Sequence, residues 1–148
     1  MRRAVVAVIA AVVSMSGSVL VAAPAAAAGG VMIYRAYYDS PGTDNRSNAS
    51  LNAEYVMLRN TSTVAKDVTG WTLRDKQNHV YKFPATRIGP GQYMTVRTGK
   101  GTGNAANRYW GSGNYVWNNT GDAAYLRTPA GALTDSCSWG STGSWTAC

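Results

Sequence analysis

Asp122 stands in the stretch WNNTGDAAYLRTPAG, residues 117–131, where a carboxylate among asparagines and glycines could act as a general acid. The neighbouring residues favour a different use. Residues 123–127 read as a strand, 118–121 as the turn that feeds it and 129–131 as the turn that leaves it. Asn and Gly tolerate positive φ in such turns, and an Asp side chain there accepts from nearby backbone N–H groups. Asp122 is therefore expected to hold a turn rather than to move protons.

The remaining chemistry-bearing residues are few. His79, the single histidine, stands at an expected hairpin entrance beside Lys76 and Asn78. A nucleophilic arrangement would also need a serine in a recognisable elbow, and no G-x-S-x-G occurs. Glycoside hydrolysis needs two placed carboxylates, yet six of the seven acids fall in or beside loops and turns, and only Glu54 begins a strand. No catalytic residue is assigned and no cofactor is called for. A small secreted hydrolase with an unrecognised carboxylate pair is kept as the enzyme-class alternative. Asp39, Asp44 and Asn45 place two carboxylates and an amide in one loop, and oxygen ligands suit calcium. Their D-x-x-x-x-D-N spacing is not that of an EF-hand loop. A plain polar loop is the first reading, and a calcium-stabilised cell-surface domain is the other alternative.

Cys137 and Cys148 are the only two cysteines, and ten residues between them with one distant histidine do not make a zinc spacing. A disulfide between them is expected. Trp71, Tyr81, Phe83 and Trp117 are expected in a core, while Trp110, Trp139 and Trp145 lie among Gly and Ser. Trp139 and Trp145 fall inside the expected disulfide loop, where they either pack beneath it or stay available for ring stacking. Arg74, Lys76, Lys82 and Arg87 cluster around the hairpin. A basic patch beside aromatics could meet phosphates, against the commoner outcome of a solvated charged face. These four, with Trp139 and Trp145 as adjuncts, are the candidate binding residues.

The elements that must position them are strands. Short runs rich in Val, Ile, Tyr, Trp and Thr are separated by Gly, Pro, Asn and Asp, and none shows a helical period. Nine candidate strands are 31–38, 54–60, 66–68, 71–74, 79–83, 92–98, 115–117, 123–127 and 132–136. Trp71 and Leu73 should oppose Thr72 and Arg74. Tyr81 and Phe83 should oppose Val80 and Lys82, and Met94 and Val96 should oppose Tyr93, Thr95 and Arg97. Pro84 stops one strand, and Gly89-Pro90-Gly91 turns the chain before the next. Residues 40–50 and 99–107 read as loops. The expected fold is all-β, an immunoglobulin-like two-sheet sandwich of about 7–9 strands.

Met1-Arg2-Arg3, an apolar run over 4–21 and the small residues 25–28 make an expected signal peptide over residues 1–28. The domain would then run over 29–136, with a Cys-bounded tail over 137–148. Loss of Arg2 and Arg3 takes the 14 basic residues to 12 against 7 acids, so the net charge falls from +7 to +5. A basic surface favours anionic partners. The chain is expected to be secreted, monomeric, without a membrane anchor after cleavage and without a specific nucleic-acid target. Association with a cell wall is one form this could take.

Several blocks in order carry a family resemblance: EYVMLRN (54–60), GWTL (70–73), YKFP (81–84), IGPGQ (88–92), WG (110–111) and WNNTGDAAYL (117–126). Over roughly residues 31–135 the chain resembles the lamin tail domain, of the type also found in secreted bacterial proteins. The resemblance implies an immunoglobulin-like sandwich without catalysis that serves as a platform for partners. The expected leader and the lack of a coiled-coil heptad depart from nuclear lamins and set filament assembly aside. The reading is a secreted, non-enzymatic binding or scaffold domain whose partner is an extracellular anionic polymer, a glycan or a protein.

Overall fold

Alternating apolar and polar residues give most segments one face to bury and one to leave in water, and burial of the apolar faces against each other makes two layers. The computed structural model describes residues 29–148, so the expected signal peptide lies outside the described residues. In chain order the elements are β1 (Val31–Tyr37), α1 (Asn48–Ala53), β2 (Tyr55–Asn60), β3 (Lys66–Asp67), β4 (Thr72–Arg74), β5 (Val80–Lys82) and β6 (Arg87–Ile88). They continue with β7 (Tyr93–Arg97), β8 (Asn107–Tyr109), β9 (Asp122–Arg127), β10 (Leu133–Trp139) and β11 (Trp145–Ala147).

A five-stranded sheet in the order β11-β1-β2-β7-β8 faces a four-stranded sheet in the order β10-β9-β4-β5, with β3 and β6 forming a two-stranded ribbon. This is an all-β immunoglobulin-like sandwich. All pairings are antiparallel except β7 with β8. Ile33, Val56, Leu58, Met94 and Val96 of the larger sheet meet Leu73, Phe83, Ala124 and Leu126 from the other side. Alternation follows the sequence reading in most places: Leu73, Tyr81, Phe83, Met94 and Val96 are buried, and Val80, Lys82 and Tyr93 are exposed. Thr95, expected on the wet face, is buried, and Trp71, expected in the core, is half-buried against it.

Six rings run through the interior. Tyr38 stacks on Trp139 at 4.9 Å, Trp139 meets Trp117, Trp117 meets Trp110, Trp110 meets Tyr81, and Tyr81 meets Phe83 edge-on at 5.0 Å. Buried aromatics contribute more than their area through such edge and stacked contacts, which accounts for much of the tryptophan content.

Three local expectations change. Residues 48–53 form a short helix that begins in the stretch 40–50 read as loop and runs past it: Ser47 Oγ accepts from the Ser50 N–H at 3.2 Å, and Leu51 is buried. So short a helix has no period to reveal it. The side-chain amides of Asn48 and Asn52 then donate to Lys100 O at 3.0 and 2.9 Å, tying down the Gly/Asn-rich loop. Residues 115–117 are not a strand: the Tyr115 N–H is spent on Asn114 Oδ1 and those of Val116 and Trp117 on the Glu54 carboxylate. Finally, β11 pairs with β1 through Tyr37–Trp145 and Arg35–Ala147, and the expected domain limit at 136 falls inside β10.

The cysteines form a disulfide, with Cα atoms 5.6 Å apart. Cys137 lies in β10 and Cys148 just follows β11, so the bridge joins the outer strands of the two sheets. Replacing both with serine is expected to cost about 2–3 kcal/mol and to lower the melting temperature by about 10 °C. Thermal unfolding monitored by tryptophan fluorescence checks this, and an unchanged melting temperature would mean that β-pairing alone holds β11.

Candidate functional site

The acids of this chain work mainly inside its frame. Asp122 is fully buried and accepts from the N–H groups of Asn118 at 3.0 Å, Lys76 at 3.1 Å and Ala123 at 2.8 Å. It thereby pins the β4–β5 hairpin to the turn before β9. Asp75, also buried, accepts from the His79 N–H at 2.7 Å and pairs with His79 Nδ1 at 2.6 Å. With its amide nitrogen turned toward both carboxylates, Gln77 donates to Asp75 at 2.9 Å and to Asp122 at 3.2 Å. Two carboxylates therefore converge, but they converge beneath Gln77 with their oxygens committed to donors, not in an open cleft.

Glu54 is buried between the sheets and accepts from Val116 N–H at 3.2 Å and from Trp117 N–H. Burial pushes its carboxyl pKa up to about 8, against the pull of those two donors. Asp135 crosses between sheets to accept from the Ile33 N–H at 2.7 Å. Asp67 accepts from Thr69, whose hydroxyl and N–H hold its carboxyl below the usual aspartate value. Five of the seven acids thus serve backbone N–H groups. Within salt-bridge distance of a carboxylate, the described residues place only His79, beside Asp75, and the described arginines and lysines have no carboxylate partner.

Of the hairpin residues singled out by sequence, Arg74 and Lys82 do share the outer face of the four-stranded sheet, joined there by Arg127 opposite Thr72. Lys76 sits in the turn, exposed, and Arg87 lies away in the β3–β6 ribbon opposite Asp67. Arg74 donates to Asn78 at 3.0 Å and Arg127 to Gly131 O at 2.9 Å, while Arg127 Nε is buried without a partner. Trp139 is withdrawn from any surface role: it is 9% exposed, stacks on Tyr38, and its Nε1–H donates to Asn118 O at 2.8 Å. Trp145 remains exposed. In the candidate calcium loop, the Asn45 amide oxygen is taken by the Ser47 N–H at 2.9 Å, and Asp39 is turned toward Ser144 and Asn119.

The outer face of the five-stranded sheet was not anticipated. Cross-strand register sets Trp145, Tyr37, Tyr55 and Arg97 in one row. A register shift between Ile33 and Arg35 in β1 turns both Tyr34 and Arg35 to the same side. Arg35 lies over Trp145 at 4.5 Å and Tyr34 at 5.8 Å, Arg59 over Tyr93 at 5.4 Å, and Arg97 over Tyr55 at 5.6 Å. The strands of this sheet contain no aspartate or glutamate. The signal in the sequence was the repeated Y-x-x-x-R of β2 and β7, Tyr55 to Arg59 and Tyr93 to Arg97.

Among the described residues, no group of three or more His, Cys, Asp or Glu side chains could hold a metal, and no helix is long and apolar enough to cross a membrane. Comparison with curated proteins finds no match. A family model described as Lamin Tail Domain matches residues 24–141.

Proposed function

The chain belongs to the lamin tail domain family, whose immunoglobulin-like domains are non-catalytic, and on that premise we propose that it is a secreted binding module for an anionic extracellular partner. The observation that carries this reading is that Glu54, Asp75 and Asp122 are buried, while the described arginines and lysines, half-buried or exposed, have no carboxylate within ion-pair distance. Cations without carboxylate neighbours keep their field for an incoming polyanion. The hydrolase reading gains no support, since Asp75 and Asp122 are closed beneath Gln77.

Sedimentation with purified cell wall, before and after removal of its anionic polymer, tests the reading. A neutral insoluble glycan serves as the control. The protein is expected to pellet with the intact wall at low salt and to stay in solution at high salt or with the stripped wall. Equal pelleting with neutral glycan would contradict electrostatic binding.

A further inference from the structure

We infer that the outer face of the five-stranded sheet is a binding site for a flexible, base-free phosphodiester chain of the polyol phosphate class. This deepens the binding reading above and rests on it.

Charge complementarity is the first argument. Arg35, Arg59 and Arg97 share a face whose strands carry no carboxylate. The Nε atoms of Arg35 and Arg59 are buried and lack a hydrogen-bond partner, whereas Arg97 already donates to Asn107 and Asn52 at 2.9 and 2.8 Å. Arg35 and Arg59 are therefore held in place by rings, with donors unspent. A guanidinium so fixed loses little freedom when it pairs with an oxyanion.

Ring orientation selects the ligand. Tyr37 and Tyr55 stack on each other at 5.4 Å and 21°, and the second neighbour of Tyr55 is Arg97. Tyr93 is flanked by Tyr34, edge-on at 5.0 Å, and by Arg59. Tyr34, Tyr37 and Tyr55 are half-buried within the patch and only Trp145 and Tyr93 are exposed, so the protein engages an incoming chain mainly with guanidinium forks and phenol hydroxyls. Single-stranded nucleic acid gains much of its affinity from stacking successive bases, and two exposed rings, Trp145 and Tyr93, are few for a run of bases. A tetrahedral phosphodiester accepts from donors on several strands at once, while a planar carboxylate is best served by one in-plane fork. Neighbouring strands stand about 4.8 Å apart, so Arg35, Arg59 and Arg97 on β1, β2 and β7 form a triangle rather than a line. A flexible backbone can follow that shape.

The test uses the protein comprising residues 29–148, with poly(glycerol phosphate), single-stranded DNA and polygalacturonate as probes, each titrated at several salt concentrations. Melting temperatures confirm that each variant folds. Arg35→Gln with Arg59→Gln is expected to weaken poly(glycerol phosphate) binding about tenfold or more and to reduce the salt slope by roughly 1.4. Arg35→Lys with Arg59→Lys, which keeps charge and loses the fork, should show a smaller loss and an unchanged slope. Arg74→Gln with Lys82→Gln should change affinity less than about twofold. If this last pair causes the loss while the Arg35 and Arg59 pair does not, anion binding stands and the assigned face is wrong. Tighter binding of DNA or of polygalacturonate than of poly(glycerol phosphate) would overturn the assigned ligand. No binding of any probe by the unsubstituted protein would defeat the binding reading itself.

Discussion

Asp122→Ala is expected to destabilise the domain by about 3–5 kcal/mol, because it strands three backbone donors in or beside the interior. Asn118, Lys76 and Ala123 come from two turns and a strand start that no other carboxylate reaches, so local relaxation cannot pair all three again. Asp122→Asn keeps one acceptor oxygen and turns an amide nitrogen toward donors, so it should fall between wild type and alanine. Urea denaturation at neutral pH gives the comparison through the midpoint. A cost for alanine below about 1 kcal/mol would mean that the carboxylate is not a clamp, and would reopen the catalytic reading of this loop. If it is a clamp, the alanine variant, kept folded at low temperature, should still bind polyanion.

The second large effect concerns Glu54 and pH. Its carboxyl pKa is raised from the ordinary 4.5 to about 8 in the folded chain, chiefly by burial. A folded-state pKa above the unfolded one means that folding takes up a proton between those values, so stability falls as pH rises through that window. The contribution is fully present below about 4.5 and is lost as pH climbs toward and past about 8. Glu54→Gln removes the titration while keeping an oxygen for the Val116 and Trp117 N–H groups. It should match wild type near pH 5 and be the more stable of the two at pH 9, by a few kcal/mol in order of magnitude. Glu54→Ala should be destabilised near pH 5 by about 2–5 kcal/mol, through two stranded N–H groups and a cavity, and its deficit against wild type should shrink toward pH 9, because alanine does not titrate. Melting curves from pH 5 to pH 9 separate these outcomes. A wild-type stability that rises over this range, with glutamine below it throughout, would show that the two N–H donors outweigh burial.

Asp122 was legible in the sequence as a turn residue because the asparagines and glycines around it are local signals. Its complete burial was not, since Lys76 and its hairpin arrive from 46 residues away. The hairpin face was found for the same reason that it was overvalued: Arg74, Lys76, Lys82 and Arg87 are close in sequence, yet β6 carries Arg87 into a different ribbon. The face formed by β1, β2 and β7 had the opposite property. Alternation in β7 set Tyr93 and Arg97 on the wet face, but strand order is set by long-range pairing, which alternation does not encode. In β1 the register shift breaks the period of two, so Tyr34 and Arg35 read as opposed when they lie together. The tail between the cysteines looked like an addition because the blocks of the family resemblance stopped before it. Its pairing with β1 depends on backbone bonds that any strand-forming residues can make.

The central claim is that acids are held in the frame and arginines are left for a polyanion. The most direct measurement is the affinity of the unsubstituted protein for poly(glycerol phosphate) as a function of salt. With Arg35, Arg59 and Arg97 each displacing a counterion from a flexible chain, the logarithm of the association constant should fall against the logarithm of salt with a slope of about −2. A slope near zero, or no measurable binding at low salt, would contradict the account.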